Sequence, residues 1–218
     1  MFLGHKLRRR AASGGFDLDF TYIGADQNTG SASTYTFTTV GIGDAHPDRM
    51  VALTIQITNS AATAVNSVTI GGTSCTLTST TYAFGVISIV AWCKKPTGTT
   101  ATIVVTLGNT ALGCRVGKYR FNTTATTNLD AGTSLTLTPI ADIQCVNGGV
   151  VLHSITSEAG ATTATWNGVD STVEAYDLAF DGRQASSYYV LTTEDSTVRD
   201  MTTTASANLA IVTVSFDV

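Results

Sequence analysis

The chain has 218 residues, of which 43% are hydrophobic and only 13% are charged, and its formal net charge is −4. Globular domains usually carry about 25% charged residues, and here threonine, serine, alanine and glycine take their place. No apolar run reaches the roughly 18 residues of a transmembrane helix, and no apolar stretch follows the basic start, so we expect neither a membrane span nor a secretory signal. A surface of hydroxyls and short side chains is common in extracellular and virion β-proteins.

The charge is unevenly distributed along the chain. Residues 1–15 carry a charge of +4, and the remainder, with 8 of the 12 basic and all 16 acidic residues, carries −8. A nucleic-acid-binding surface would spread its basic residues over a folded face, so nucleic acid is not the expected partner. A short basic segment on an acidic body is typical of a docking peptide, with a solvated tail as the alternative. The candidate docking residues of this arm are Lys6, Arg8, Arg9 and Arg10.

Short alternating segments separated by Gly, Pro and Asn dipeptides predict β-strands along the rest of the chain. The clearest is Arg49–Thr58, where apolar residues at every second position predict one buried face and one wetter face. Segment 65–70 ends at Gly71-Gly72, a hairpin signal. The other predicted strands cover residues 16–24, 34–42, 73–78, 134–140, 149–156, 161–166, 172–180, 187–193 and 208–218.

Residues 84–121 contain three apolar, β-branched runs, separated by turn signals at 95–98 and 108–110. This pattern predicts a three-strand meander at the centre of the fold. Both sides of the first run are apolar: Val86, Val90 and Trp92 alternate with Ile87, Ile89, Ala91 and Cys93. That strand should therefore be covered on both sides, either by a second sheet and a loop or by a neighbouring subunit.

No segment has sustained helical periodicity, and the turn signals recur at roughly 8–12-residue spacing, which indicates a sandwich or barrel. The predicted strands outnumber the ~7 strands of a minimal immunoglobulin domain. We therefore predict an all-β, antiparallel two-sheet sandwich, jelly-roll-like, formed by a single domain over residues 16–218 and preceded by the arm at 1–15.

The four cysteines, Cys75, Cys93, Cys114 and Cys145, each lie in phase with apolar neighbours. They could pair in three ways, and the sequence does not choose among them. No Cys-x-x-Cys or Cys/His spacing indicates zinc. Because free cysteine is among the most buried residue types, reduced core thiols are the expected state, with one or more disulfides as the alternative.

The histidines, His5, His46 and His153, do not form a recognisable catalytic motif. Hydrolysis by a serine nucleophile needs a base within hydrogen-bond reach, and the chain has no G-x-S-x-G elbow. His153 and Ser154 are adjacent in one predicted strand, so they point to opposite faces. We interpret His153 as a structural histidine and predict no catalytic residue, cofactor or metal.

Four carboxylates, Asp170, Glu174, Asp177 and Asp181, cluster in the sequence. Oxygen ligands on a loop could bind Ca²⁺, and two carboxylates ~5–9.5 Å apart could act as a glycosidase pair. A solvated acidic edge is the default interpretation. The aromatic residues Trp166, Tyr176, Tyr188 and Tyr189 are candidates for glycan contact, with core or subunit packing as the alternative.

Several segments together resemble one group of proteins. The strand Arg49–Thr58, then VNSVTIGGTSCTL, then FGVISIVAWCKKPTGTTATIVVTL and finally LAIVTVSFDV follow each other in an order similar to β-sandwich minor structural proteins of tailed bacteriophages and phage-like particles, and of some bacterial surface proteins. The start, MFLGHKLRRRAASGG, is similar to short Arg/Gly peptides that open small virion proteins. Neither resemblance supplies catalytic residues.

The resemblance implies a non-enzymatic virion protein, namely a capsid decoration, head-fibre or tail-tip component that is assembled in the host cytoplasm. Its arm would dock on other virion proteins, such as the major capsid, portal-vertex or tail proteins. Such proteins form closed homo-oligomers, so a trimer or higher ring is expected, and the outer surface would face host glycans. The alternatives are a carbohydrate-binding adhesin module and, less favoured by these residues, a small hydrolase or lyase.

Overall fold

The structure is a computed structural model, and it describes residues 19–58, 64–82, 85–135, 143–144, 148–158, 173–177, 182–190 and 209–218. The described residues form β-strands joined by turns and loops, without a helix. The strands, numbered in chain order, are β1 (Thr21–Asn28), β2 (Ala32–Gly41), β3 (Arg49–Thr58), β4 (Val65–Ile70), β5 (Thr73–Ser74), β6 (Thr76–Tyr82), β7 (Val86–Lys94), β8 (Thr100–Ala111), β9 (Gly113–Asn122), β10 (Asp130–Ser134), β11 (Val150–Glu158), β12 (Val173–Asp177), β13 (Gly182–Val190) and β14 (Leu209–Phe216).

These strands make three antiparallel sheets. The central sheet has the order β1-β9-β3-β7-β6, the threonine sheet β2-β8-β4-β5, and the third sheet β10-β14-β11-β13-β12. The predicted all-β antiparallel sandwich is confirmed, and the third sheet adds a layer to the two that the sequence suggested. The jelly-roll arrangement stays a prediction, and the arm at residues 1–15 lies outside the described residues.

One apolar core lies between the central sheet and the threonine sheet. The central sheet contributes the odd-numbered residues of β3 and β7, such as Leu53 and Ile89, together with Val116 of β9. The threonine sheet contributes the inward residues of β2, β4 and β8, such as Tyr35 and Ile103. The Tyr35 hydroxyl, which is buried here, donates a hydrogen bond of 2.7 Å to the Ala111 carbonyl, so its polar end is satisfied within the same sheet.

A second core lies on the opposite face of the central sheet, against the third sheet. Trp92 of β7 meets Phe216 of β14 edge to face, with ring centroids 5.3 Å apart, a favoured aromatic geometry. Val150 and Leu152 of β11 complete this core with Val212 and Val214 of β14. The expectation that β7 is covered on both sides is therefore confirmed, and the covering layers are two sheets of the same chain.

Two expectations about the centre of the fold are wrong. β7, β8 and β9 do not form a meander, because β3 lies between β7 and β9 while β8 crosses into the threonine sheet. β3 also has no wet face: all its residues except Thr58 are buried. Its polar residues Thr54 and Gln56 face the third sheet rather than water, and that sheet comes from the distant C-terminal part of the chain.

Other predictions about local structure are confirmed. The bounds of β3 and β4 are those predicted, and Gly71 and Gly72 join β4 to β5 in a hairpin. Both glycines have positive φ, +54° and +77°, as a two-residue turn of this kind requires. The first strand was predicted at residues 16–24, whereas β1 begins at Thr21 and extends to Asn28. The predicted strand at 161–166 lies outside the described residues.

Candidate functional site

Most of the residues predicted to make contacts lie outside the described part of the chain. The arm residues Lys6, Arg8, Arg9 and Arg10, together with Trp166, Asp170 and Asp181, are outside the described residues. Cys145 is also outside them. The calcium, glycosidase and docking interpretations of these residues therefore stay predictions.

The three tyrosines considered for glycan contact belong to the last strands of the third sheet. Tyr176 lies on β12, at one edge of the sheet, where it pairs with Gln184 of β13. Tyr188 and Tyr189 lie further along β13 and pair with Leu152 and Val151. Since strand residues rise ~3.3 Å each, the backbone of Tyr188 is ~13 Å along β13 from the partner of Tyr176. The backbone therefore does not place Tyr176 beside the other two.

The two histidines in the described part of the chain have local structural roles. His46 lies in the loop between β2 and β3, where its Nδ1 accepts a hydrogen bond of 3.1 Å from the Asp48 backbone N–H. His153 of β11 is buried, and its Nδ1 lies 3.0 Å from the Thr213 hydroxyl. Burial lowers the pKa of His153 to about 3. His153 is therefore a hydrogen-bonded histidine of the protein interior, in agreement with its place in an apolar predicted strand.

Ser154, next to His153 in sequence, points to the other side of β11. Its hydroxyl accepts hydrogen bonds of 2.8 Å from Gln56 Nε2 of β3 and from the Ser88 hydroxyl of β7. Thr156 adds a bond of 2.9 Å to the Ile87 carbonyl. These hydrogen bonds connect the third sheet to the central sheet. The sequence alone does not predict them, because Gln56 and Ser154 are far apart in the chain.

The described ranges contain no group of three or more His, Cys, Asp or Glu side chains that could hold a metal ion. Two buried cations of β9 form ion pairs with acidic side chains. Lys118 and Arg120 of β9 pair with Asp26 and Asp19 at the β1 edge of the central sheet. No helix long and apolar enough to cross a membrane occurs among the residues that the structure describes.

The most distinctive surface of the described chain is the outer side of the threonine sheet. Along β2 and β8 the inward residues Tyr35, Phe37, Ile103 and Val105 are buried, so the residues between them point outward. We call this outer surface the threonine face. Its members are all exposed or half-exposed: Thr34, Thr36, Ser67, Thr69, Thr102, Val104 and Thr106.

The strand register arranges the threonine face in rows. Thr106 of β8 pairs with Thr34 of β2 on one side and with Ser67 of β4 on the other. In the next row, Val104 pairs with Thr36 and Thr69. Sheet geometry spaces such residues ~4.8 Å apart between strands and ~6.7 Å along a strand. The result is a regular array of hydroxyl groups around one central valine.

None of β2, β4, β5 and β8, all of which the structure describes, contains a charged residue. Each hydroxyl can donate one hydrogen bond and accept others. β-Branched threonine also has a stiff side chain, so its hydroxyl is held in place at little entropic cost. The threonine face can therefore bind an uncharged polar surface, such as sugar hydroxyls or an uncharged protein surface, but it offers no group for acid–base chemistry at neutral pH.

Arg49 holds the loops at one end of this layer. Its buried guanidinium donates to four backbone carbonyls: Lys95 at 2.5 Å, Gly43 at 2.7 Å, Thr97 at 2.8 Å and Asp44 at 2.9 Å. These carbonyls belong to the β2–β3 and β7–β8 loops, both of which connect the threonine sheet with the central sheet. A planar guanidinium with several fixed donors suits this role better than lysine would.

The signal for the threonine face is present in the sequence as the alternating segments TYTFT and TATIVVT. The excess of threonine is visible in the composition, but the composition does not assign those residues to one surface. Comparison with models of protein families, with curated proteins and with solved structures finds no match to this chain.

Proposed function

We propose that this chain is a non-enzymatic structural component of a bacteriophage virion, that is, a capsid decoration, head-fibre or tail-tip protein. The observation that carries the proposal is the threonine face, an exposed sheet surface without charge. Solvated surfaces are normally rich in charged side chains, so a charge-free array of hydroxyls suits contact with an uncharged surface. The layered scaffold behind it keeps that array rigid, which lowers the entropic cost of binding.

In this proposal the basic arm at residues 1–15 is the anchor. Its four cations would dock on an acidic surface of another virion protein, while the body, with its charge of −8, would be repelled by such a surface. The arm therefore sets which end of the protein faces the particle. The protein would assemble in the host cytoplasm as a closed homo-oligomer, a trimer or higher, with host glycans reached by the outward surface.

The test uses particles released by the source strain and separated on a density gradient, with mass spectrometry of each band. We expect the full chain to co-band with heads or tails. A chain without residues 1–15, and a full-length chain with Lys6, Arg8, Arg9 and Arg10 all changed to Gln, should fold but stay in the soluble fraction. Failure of the full chain to co-band would refute the virion role, whereas normal incorporation of both variants would refute only the anchor.

The threonine face also favours a second candidate function, a carbohydrate-binding adhesin module. Uncharged hydroxyl rows can exchange hydrogen bonds with sugar hydroxyls. A glycan-array screen of the purified chain tests this function, with Thr36→Val and Thr106→Val removing hydroxyls at nearly constant shape and Thr36→Ser and Thr106→Ser as matched controls. Binding that the valine variants lose and the serine variants keep would support the adhesin. Binding unaffected by the valine changes would exclude this face as its site.

A further inference from the structure

We propose that Cys75 and Cys93 are a disulfide-forming site, which joins the chain segment entering the central sheet to strand β7. The proposal concerns a covalent modification and is independent of the function proposed above. It depends on the strand register, on the contact between the two thiols and on the lysine beside them.

The register brings the two residues together. β6 runs antiparallel to β7 with Thr76 opposite Trp92 and Leu77 opposite Ala91. Cys75 and Cys93 directly flank this Thr76–Trp92 pair, and both side chains pack in the core between the central and threonine sheets. Directly opposed residues of antiparallel strands have Cα atoms ~4.5–5.5 Å apart, and disulfides span ~4.4–6.8 Å. Because Cys75 and Cys93 adjoin such a pair, we expect their Cα atoms to lie within the range that a disulfide can span.

Both thiols are free. The Cys75 thiol donates a hydrogen bond to the Cys93 sulfur. This hydrogen bond, helped by the charge of Lys95, lowers the pKa of Cys93 against the opposing effect of burial. The hydrogen bond and burial raise the pKa of Cys75. The nearby Lys95 ammonium favours the thiolate of Cys93, and the thiolate is the reactive form of a cysteine.

Lys95 is held near this pair by its own contacts. Its ammonium donates to the Gly71 carbonyl at 3.1 Å and to the Thr73 hydroxyl at 3.2 Å, both in the hairpin that precedes Cys75. Neither thiol is fully enclosed, since Cys75 is half-buried and Cys93 is 8% exposed. A small oxidant can therefore reach the two sulfur atoms.

Cys114 of β9 supplies an internal comparison. It is fully buried in the same core, and burial raises its pKa. It has the same chemistry as Cys75 and Cys93 but neither the accessibility nor the ionised state that oxidation needs. If oxidation depended on thiol chemistry alone, Cys114 would react as well.

The oxidant that we name is hydrogen peroxide. The Cys93 thiolate attacks one peroxide oxygen, the O–O bond breaks, and hydroxide leaves and takes a proton to form water, which makes Cys93 a sulfenic acid. Cys75 then gives up its proton and its sulfur attacks the Cys93 sulfur. The S–O bond breaks, and the departing hydroxide takes that proton to form the second water. Two thiols are oxidised to one disulfide while one peroxide is reduced to two waters.

The experiment treats the full-length reduced chain with a slight excess of hydrogen peroxide, alkylates the remaining thiols under denaturing conditions and maps the peptides by mass spectrometry. We expect a cross-linked Cys75–Cys93 peptide, with Cys114 fully alkylated. The oxidised wild type should also melt several degrees above the reduced protein, because the bond restricts the unfolded chain. Cys75→Ala should lack both the cross-link and the shift, and Cys114→Ala should keep both.

Three results would overturn the proposal. The first is a pair that stays reduced while peroxide is consumed by other residues. The second is oxidation of Cys93 only to sulfenic or sulfinic acid in the wild type, which would mean that Cys75 cannot reach it. The third is a disulfide from either residue to Cys145 or Cys114. All three can be read from the wild-type protein, so the test does not depend on a variant that folds.

Discussion

The burial of His153 predicts how the stability of this protein depends on pH. His153 is 5% exposed, and burial lowers its pKa from the usual ~6.5 to about 3, because the imidazolium would lose its hydration. Its Nδ1 is satisfied by the Thr213 hydroxyl, which lies on the paired strand β14. The folded protein therefore keeps His153 neutral at pH values where the unfolded chain takes up a proton.

The sign of the effect follows from this difference. The pKa of His153 is lower in the folded than in the unfolded chain. Its contribution to the free energy of unfolding is therefore fully present above about pH 6.5 and is lost as the pH drops toward about 3. One pKa unit corresponds to about 1.4 kcal/mol. From pH 8 to pH 5 the free energy of unfolding should therefore fall by about 2 kcal/mol because of this one side chain. At pH 4 the loss should reach about 3 kcal/mol.

The assay is urea unfolding between pH 8 and pH 5, followed by tryptophan fluorescence, since Trp92 is buried in the core beside the third sheet. His153→Asn is the matched control, because its amide does not titrate and can still bond to the Thr213 hydroxyl. Other titrating groups contribute equally to both proteins, so the difference between the two pH profiles isolates His153.

The smaller side chain of the variant can lower the free energy of unfolding at every pH, so only the shapes of the two pH profiles are compared. We expect the two profiles to diverge by about 2 kcal/mol at pH 5. Parallel profiles would refute the reasoning, since they would mean that His153 takes up its proton equally well in the folded and unfolded chains.

Three further predictions concern stability and can be measured by the same unfolding method at pH 8. Ser154→Ala should lower the free energy of unfolding by about 2 to 4 kcal/mol, because the amide of Gln56 and the hydroxyl of Ser88 lose their buried acceptor. A loss below about 1 kcal/mol would contradict this role of Ser154. Arg49→Met should cost about 3 kcal/mol or more, since four carbonyls lose a charged donor, and Arg49→Lys should recover only part of it. Thr36→Val, on the exposed threonine face, should change stability by less than about 0.5 kcal/mol, and a larger loss would mean that its hydroxyl serves the fold rather than contact.

The candidate site was only partly predictable. The excess of threonine and the low charge indicate a hydroxyl-rich surface, but placing those residues on one face requires the pairing of β8 with both β2 and β4. The role of Arg49 was not predictable either, because its carbonyl partners lie on two loops whose proximity depends on strands crossing between sheets. The thiol pair required the register of β6 on β7, which the spacing of Cys75 and Cys93 does not give.

By itself the sequence determined where several strands lie and that β7 is buried on both sides. A period of two is a local property, imposed by the strand backbone and readable from neighbouring residues. Only the tertiary structure decided which strands are neighbours: β3 lies between β7 and β9, and a third sheet turns the polar side of β3 into an interior surface. The physical reason is that Gln56 and Ser154 are as compatible with water as with each other. Their burial depends on a partner almost a hundred residues away, and alternation within a strand carries no information about that partner.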